Sequence, residues 1–161
     1  MSVVLTESLF REVLEQFREV YEGPGAEYPW FIDPSPNSGL LGTLASLTAS
    51  QASKPTVRGG STIASHAGHL RWSLALANAI FAGEMDAPDI AESWRLRVVD
   101  ASEWKALQSE LRREYELLAR NIEKQRNWSD AEFLSGAIAL VPHAAYHLGA
   151  VRQMALAITA D

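Results

Sequence analysis

Apolar residues recur every three or four positions along most of this chain, which is the spacing that predicts amphipathic α-helices. The first predicted helix covers about residues 6–21. Its apolar stripe consists of Leu9, Val13, Phe17 and Val20, widened on one side by Phe10 and Leu14. The second predicted helix begins at an N-cap serine, Ser61, and ends near Gly83, because serine favours helix starts and glycine favours helix ends. Its inward stripe is His66, His69, Ser73, Leu76 and Ile80.

Two more long helices are predicted in the second half of the chain. Asp100-Ala-Ser-Glu103 has the form of a capping box and opens the third helix. The apolar stripe of this helix is Trp104, Leu107, Leu111, Leu118 and Ile122. The fourth helix covers about residues 129–159. Pro142 either kinks it or begins a new segment, because proline removes a backbone donor.

The connections contain the residues that interrupt helices. Residues 22–38 carry four prolines, two glycines and the aromatic residues Tyr28, Trp30 and Phe31, so we predict an ordered loop there that could act as a lid. A shorter helical segment is predicted at about residues 40–50. No alternating strand pattern and no internal repeat is found. The sequence therefore predicts an all-α protein, an antiparallel four-helix bundle in one domain (residues 1–161), with a long proline-rich loop after helix one.

Composition narrows the function classes. The chain of 161 residues is 47% hydrophobic and 21% charged, as in an ordinary globular protein. A net charge of −6 without a Lys/Arg-rich run argues against nucleic acid or an anionic membrane surface as partner. The lack of cysteine excludes disulfides, thiolate metal sites and a cysteine nucleophile. No signal-peptide pattern and no run of about 18 uninterrupted apolar residues is found, so we expect a cytoplasmic protein.

The four histidines fall into two clusters with helical spacing. His143 and His147 are four residues apart, so in a helix they project from the same face and could hold one ion between them. A third ligand must come from another helix, where His66 or His69 could supply it. Burying two charged imidazoles side by side would cost free energy. A divalent ion avoids this cost because it binds the neutral form of both rings. For His66 alone, a hydrogen-bonded core histidine is the alternative interpretation.

Several other types of site are excluded because the chain lacks the residues that they require. A zinc protease needs a glutamate directly after the first histidine of the pair, and this chain has Ala144 there. Glycine-rich phosphate loops, Gly-x-Ser-x-Gly elbows and the Glu-x-x-His repeats of di-iron bundles are also absent from the sequence.

Two segments resemble the DinB-like (DinB/YfiT-type) family of small bacterial metalloproteins, and the resemblance covers nearly the full length. They are Ser61-Thr-Ile-Ala-Ser-His-Ala-Gly-His69-Leu and His143-Ala-Ala-Tyr-His147-Leu-Gly-Ala-Val-Arg152-Gln153. The resemblance implies a four-helix bundle, commonly a homodimer, in which His69, His143 and His147 bind a divalent ion. It assigns no fixed role to His66, which is a hydrogen-bonding partner of a ligand, an alternative ligand or a packing residue. We favour partner or packing, since a neighbour usually orients the other nitrogen of a ligand imidazole.

Three neutral imidazoles leave an open coordination position on the ion, as in catalytic sites. Some relatives in the resembled family use a low-molecular-weight thiol such as mycothiol or bacillithiol in transferase or isomerase reactions. The resemblance therefore implies a thiol-dependent enzyme acting on a small-molecule substrate. A hydrolase that activates water and a non-enzymatic, stress-related metal-binding protein are the alternatives. Imidazole suits zinc, nickel, iron and copper alike, so the sequence does not select the metal.

Overall fold

The computed structural model describes residues 2–25, 28–30, 32–84 and 89–159, with side chains from Leu9 onward. Within these residues the chain forms α-helices and a single 3-10 helix, with no strand. The helices are α1 (Ser2–Glu22), α2 (Leu40–Ala45), α3 (Ala49–Ser53), α4 (Ile63–Phe81), the 3-10 helix η1 (Ile90–Trp94), α5 (Ala101–Lys124) and α6 (Ala131–Thr159). The predicted all-α class is confirmed.

The four long helices, α1, α4, α5 and α6, enclose the core. Helix α4 contacts α5 and α6, and α1 contacts the same two helices, so each long helix packs against two others. The short helices α2 and α3 lie against α5 and α6. This arrangement buries one continuous hydrophobic cluster. Its most fully buried large side chains include Phe17, Tyr21, Leu40, Leu44, Ile63, Leu70, Leu74, Leu111, Tyr115 and Leu118.

The buried face of α1 is rotated from the predicted one. Leu9, assigned to the inward stripe, is 49% exposed, whereas Phe10 and Leu14 are buried. The reason is a tertiary contact: the Phe10 ring stacks on Trp128, with ring centroids 3.4 Å apart. Burying the larger aromatic surface turns Leu9 toward solvent.

Helix α4 begins one residue later than predicted. Its N-cap is Thr62, whose hydroxyl accepts from the Ser65 backbone N–H, and the Ser65 side chain returns to the Thr62 N–H as a capping box. Ser61 is therefore not the cap. The predicted stripe is also wrong at its C-terminal end, since Ile80 is 42% exposed and the buried line continues instead through Leu70, Leu74 and Asn78. The inward orientation of His66 and His69 is confirmed, as each is 5% exposed.

Helix α5 matches its prediction. Asp100 caps it, the Glu103 side chain completes the capping box, and all five predicted stripe residues are buried. The predicted segment at residues 40–50 is wrong in one respect, because it is divided into α2 and α3. Thr48 interrupts it by capping α3 in an extended conformation.

Helix α6 passes through Pro142 without a break. Proline leaves the carbonyl oxygen of Ile138, one turn earlier, without its helical donor. Pro142 and Ile138 are both exposed, so water can hydrogen-bond to that oxygen. By length and composition α6 is also sufficient to cross a membrane, a test that core helices of soluble proteins pass as well. Here its inner face packs on α1 and α4.

Candidate metal centre

Three histidine side chains from two helices converge on one point. His69 lies on α4, and His143 and His147 lie one turn apart on α6. The Nε2 atom of His143 is 3.1 Å from Nε2 of His69 and 3.1 Å from Nε2 of His147. Nitrogens bound to a tetrahedral ion at 2.0–2.1 Å are about 3.3 Å apart. The three residues predicted as ligands therefore form a group that could hold one metal ion.

The hydrogen bonds of His69 determine which of its nitrogens faces the centre of this group. Its Nδ1 is 2.8 Å from the Ser93 hydroxyl oxygen, and that hydroxyl donates its single hydrogen to the Ile90 carbonyl at 2.6 Å. The serine oxygen can therefore only accept from Nδ1–H of His69. In the neutral ring, Nε2 then carries the lone pair that a metal ion needs.

His66 lies behind His147, away from the three Nε2 atoms. The Nδ1 atoms of His66 and His147 are 2.8 Å apart, and Nε2 of His66 is 3.0 Å from the Ser61 hydroxyl. If His147 donates from Nδ1, then Nδ1 of His66 accepts this bond, and Nε2–H of His66 donates to the Ser61 hydroxyl. Of the two proton arrangements that satisfy this chain, this one leaves Nε2 of His147 free to bind an ion. The preference for His66 as a partner of a ligand agrees with this geometry.

The same hydrogen bonds leave at most one N–H proton among the three Nε2 atoms that face one another. With Nδ1 as the donor, Nε2 of His69 is an acceptor, and Nε2 of His147 is one in the arrangement just described. The nitrogen between them, Nε2 of His143, can carry only one proton. Three ring nitrogens thus face one another with at most one donor, an arrangement that a cation would satisfy better. The site therefore fits a divalent metal ion by the chemistry of its donors as well as by its spacing.

Burial keeps these imidazoles neutral. It lowers the pKa of His69 to about 4, helped by the nearby His143 and His66. It lowers the pKa of His147 to about 3, helped by the other three histidines. Burial also lowers the pKa values of His66 and His143. Since only the neutral ring binds metal, His69 and His147 are ready to act as ligands well below pH 7.

The 3-10 helix η1 covers one side of the group. The Trp94 ring stacks on His69, with centroids 4.3 Å apart and planes 18° apart, and meets His66 edge-on at 5.3 Å. The sequence analysis assigned no role in the site to Trp94 or Ser93. No local pattern marks either residue, because η1 is brought to α4 by tertiary packing.

Two aromatic side chains of the proline-rich loop are open to solvent. Tyr28 and Trp30 are 82% and 74% exposed. Arg152 pairs with Asp33, which connects the proline-rich loop to α6. Phe31 lies outside the described residues. Trp104 and Trp128 are buried within the chain, as core residues would be.

Comparisons of the chain with protein-family models, with curated proteins and with solved structures found no match in any of the three. Membership of the DinB-like family therefore stays a prediction, and the function is inferred from the site itself.

Proposed function

We propose that this chain is a metal-dependent enzyme of the DinB-like type. It binds one divalent transition ion (zinc, nickel or iron) through Nε2 of His69, His143 and His147. The observation that carries this proposal is the convergence of the three Nε2 atoms, with 3.1 Å separating His143 from each of the other two. The long helices form an antiparallel four-helix bundle in this proposal, which is supported by the packing of each long helix against two others.

The reaction class follows from the open position that three imidazole ligands leave on an ion. When bound, the ion supplies Lewis acidity, lowering the pKa of a thiol placed at that position. The chain contains no cysteine, so the thiol must come from a small cosubstrate. We propose a low-molecular-weight thiol whose proton leaves to solvent. Its sulfur then forms a carbon–sulfur bond to an electrophile. In a substitution the leaving group departs with the electron pair of the broken bond. In an addition that pair moves to an oxygen or carbon of the acceptor, which takes up a proton from solvent.

The contributions of this chain to that reaction are positioning and exclusion of water. Ser93 and His66 hold the Nδ1 side of His69 and His147, so that both Nε2 atoms are directed to the same point. The Trp94 ring covers the His69 imidazole. His143 is the least buried of the three histidines, which puts the accessible side of the group next to it.

The test is a panel of thiols (mycothiol, bacillithiol, glutathione and coenzyme A) against haloaromatic, epoxide and maleyl-type acceptors. Metal-loaded wild type should accelerate thiol addition, and His147→Ala should lose the activity. Ser135→Ala is the matched control, because it removes an exposed hydroxyl from the same helix. Equal turnover by wild type and His147→Ala would show that the site is not responsible.

Hydrolysis is the main alternative outcome of this test. Turnover of esters or amides without thiol would identify water as the nucleophile. The hydrogen bonds of the four histidines within the described residues go to Ser61, Ser93 and one another, so these partners supply no carboxylate base. Metal binding without turnover in either assay would identify a non-enzymatic metal-binding protein.

A homodimer and a cytoplasmic location complete the proposal. The dimer is supported by the outer face of α6, where the apolar side chains of Ile138, Tyr146 and Leu156 are exposed. No charged residue lies between Glu132 and Arg152, so the part of this face that holds Ile138 and Tyr146 is uncharged over more than four turns of helix.

A further inference from the structure

Ser93 is a buried serine with both of its hydrogen-bonding functions in use. It is 6% exposed and lies on η1, 24 residues from His69 along the chain. Its hydroxyl donates to the Ile90 carbonyl at 2.6 Å, a bond within the same 3-10 helix. This bond directs the oxygen lone pairs toward α4, where Nδ1 of His69 lies 2.8 Å away.

The alternative direction of these bonds is excluded by proton counting. If Nδ1 of His69 were the acceptor, Ser93 would have to donate to it, and the Ile90 carbonyl would lose its donor. A hydroxyl has one hydrogen and a carbonyl has none, so only one direction satisfies both contacts.

We infer that Ser93 is a positioning residue that selects Nε2 of His69 as the metal-binding nitrogen. It does so by accepting the Nδ1 proton of that ring. This inference deepens the proposed metal site, and its effect on affinity rests on that site. The effect on the His69 tautomer does not require a metal. Neutral imidazole can hold its proton on either nitrogen, so a ring without this partner would spend part of its time with the proton on Nε2, where it blocks the ligand position.

The experiment compares wild type with Ser93→Ala and Ser93→Thr. Metal-free protein labelled with nitrogen-15 at histidine reports the His69 tautomer by NMR, and zinc titration against a competing chelator reports the affinity. Ser93→Ala should populate the Nε2–H tautomer and weaken zinc binding by about 10- to 100-fold, the usual effect of losing such a partner. Ser93→Thr keeps the hydroxyl and should recover most of the affinity and the Nδ1–H tautomer.

Ser53→Ala is the matched control for a lost serine hydrogen bond. The Ser53 hydroxyl donates to the Ala49 carbonyl and accepts from the Val99 N–H at 3.0 Å, so it connects two segments just as Ser93 does. Its contacts do not include a histidine. This variant should lower stability while leaving the zinc affinity and the His69 tautomer unchanged.

Wild-type affinity in Ser93→Ala, or an unchanged tautomer in that variant, would overturn the inference. If Ser93→Ala does not fold, metal-free wild type decides: His69 protonated at Nε2 contradicts the inference, and protonation at Nδ1 supports it. Failure of the proposed function is distinguishable, because a wild-type protein that binds no zinc can still show the Nδ1–H tautomer of His69.

Discussion

Metal binding by this site should release few protons, even in mildly acidic solution. A divalent ion must displace any proton on the ligand nitrogens, so the number released measures how protonated the empty site is. Proton release is therefore best measured for zinc binding at pH 6.0, where an ordinary histidine, with a pKa near 6.5, is about three-quarters protonated.

The expected number follows from the lowered pKa values. Three unperturbed histidines would release about 2.3 protons at pH 6.0. With a pKa of about 4, His69 is neutral at this pH, and with a pKa of about 3, so is His147. Together they should release roughly 0.01 proton. The pKa of His143 is also lowered, so it releases less than the roughly 0.8 proton of an ordinary imidazole. Even if a bound water ionises in part, the total stays below about one proton.

Isothermal titration calorimetry in two buffers with different ionisation enthalpies measures this number directly. The apparent binding enthalpy changes between buffers in proportion to the protons released, so the difference at pH 6.0 should be less than half of that expected for three ordinary histidines. The same titration of His147→Ala supplies the baseline for ions bound elsewhere. Release of about two protons would show that the histidines are charged in the empty site, and that burial does not prepare them as ligands.

Three further predictions test other parts of the account. His69→Ala should weaken zinc binding more than His66→Ala, because Nε2 of His66 faces Ser61; the reverse order of affinities would mean that the wrong ligand on α4 was chosen. The metal-free protein should lose stability to urea as pH falls from about 6.5 toward 4. Below pH 6.5 the histidines of the unfolded chain bind protons, whereas the buried histidines of the folded chain stay neutral because their pKa values are lowered. A free energy of unfolding that does not change with pH in this window would contradict this prediction. Light scattering at micromolar concentration should give twice the 17.7 kDa chain mass, whereas a monomer mass would count against the dimer.

Local sequence signals predicted the start of α5 and its buried stripe. The capping box at Asp100 forms between residues of the helix itself, and tertiary packing buries the same five apolar residues that the spacing predicts. The position of the α4 cap was also present in the sequence. Ser65 is three residues after Thr62 and returns the capping bond, whereas the residue three after Ser61 is Ala64, which cannot.

Tertiary contacts determined what local patterns could not. Leu9 and Phe10 both fit the helical period, and only the stacking of Phe10 on Trp128 selects the buried one. The three-histidine group was predictable from the i, i+4 pair and a histidine on a second helix. Ser93 was not, because it reaches His69 through the packing of η1 on α4, and no sequence spacing encodes that contact.

The central claim is that one divalent ion binds to three Nε2 atoms, and anomalous diffraction from crystals grown with zinc or nickel tests it most directly. We expect a single strong peak, about 2.0–2.1 Å from Nε2 of His69, His143 and His147, with Ser93 still bonded to Nδ1 of His69. A peak bound through Nδ1, a peak at His66 in place of His69, or no peak within this group at full metal loading would contradict the account.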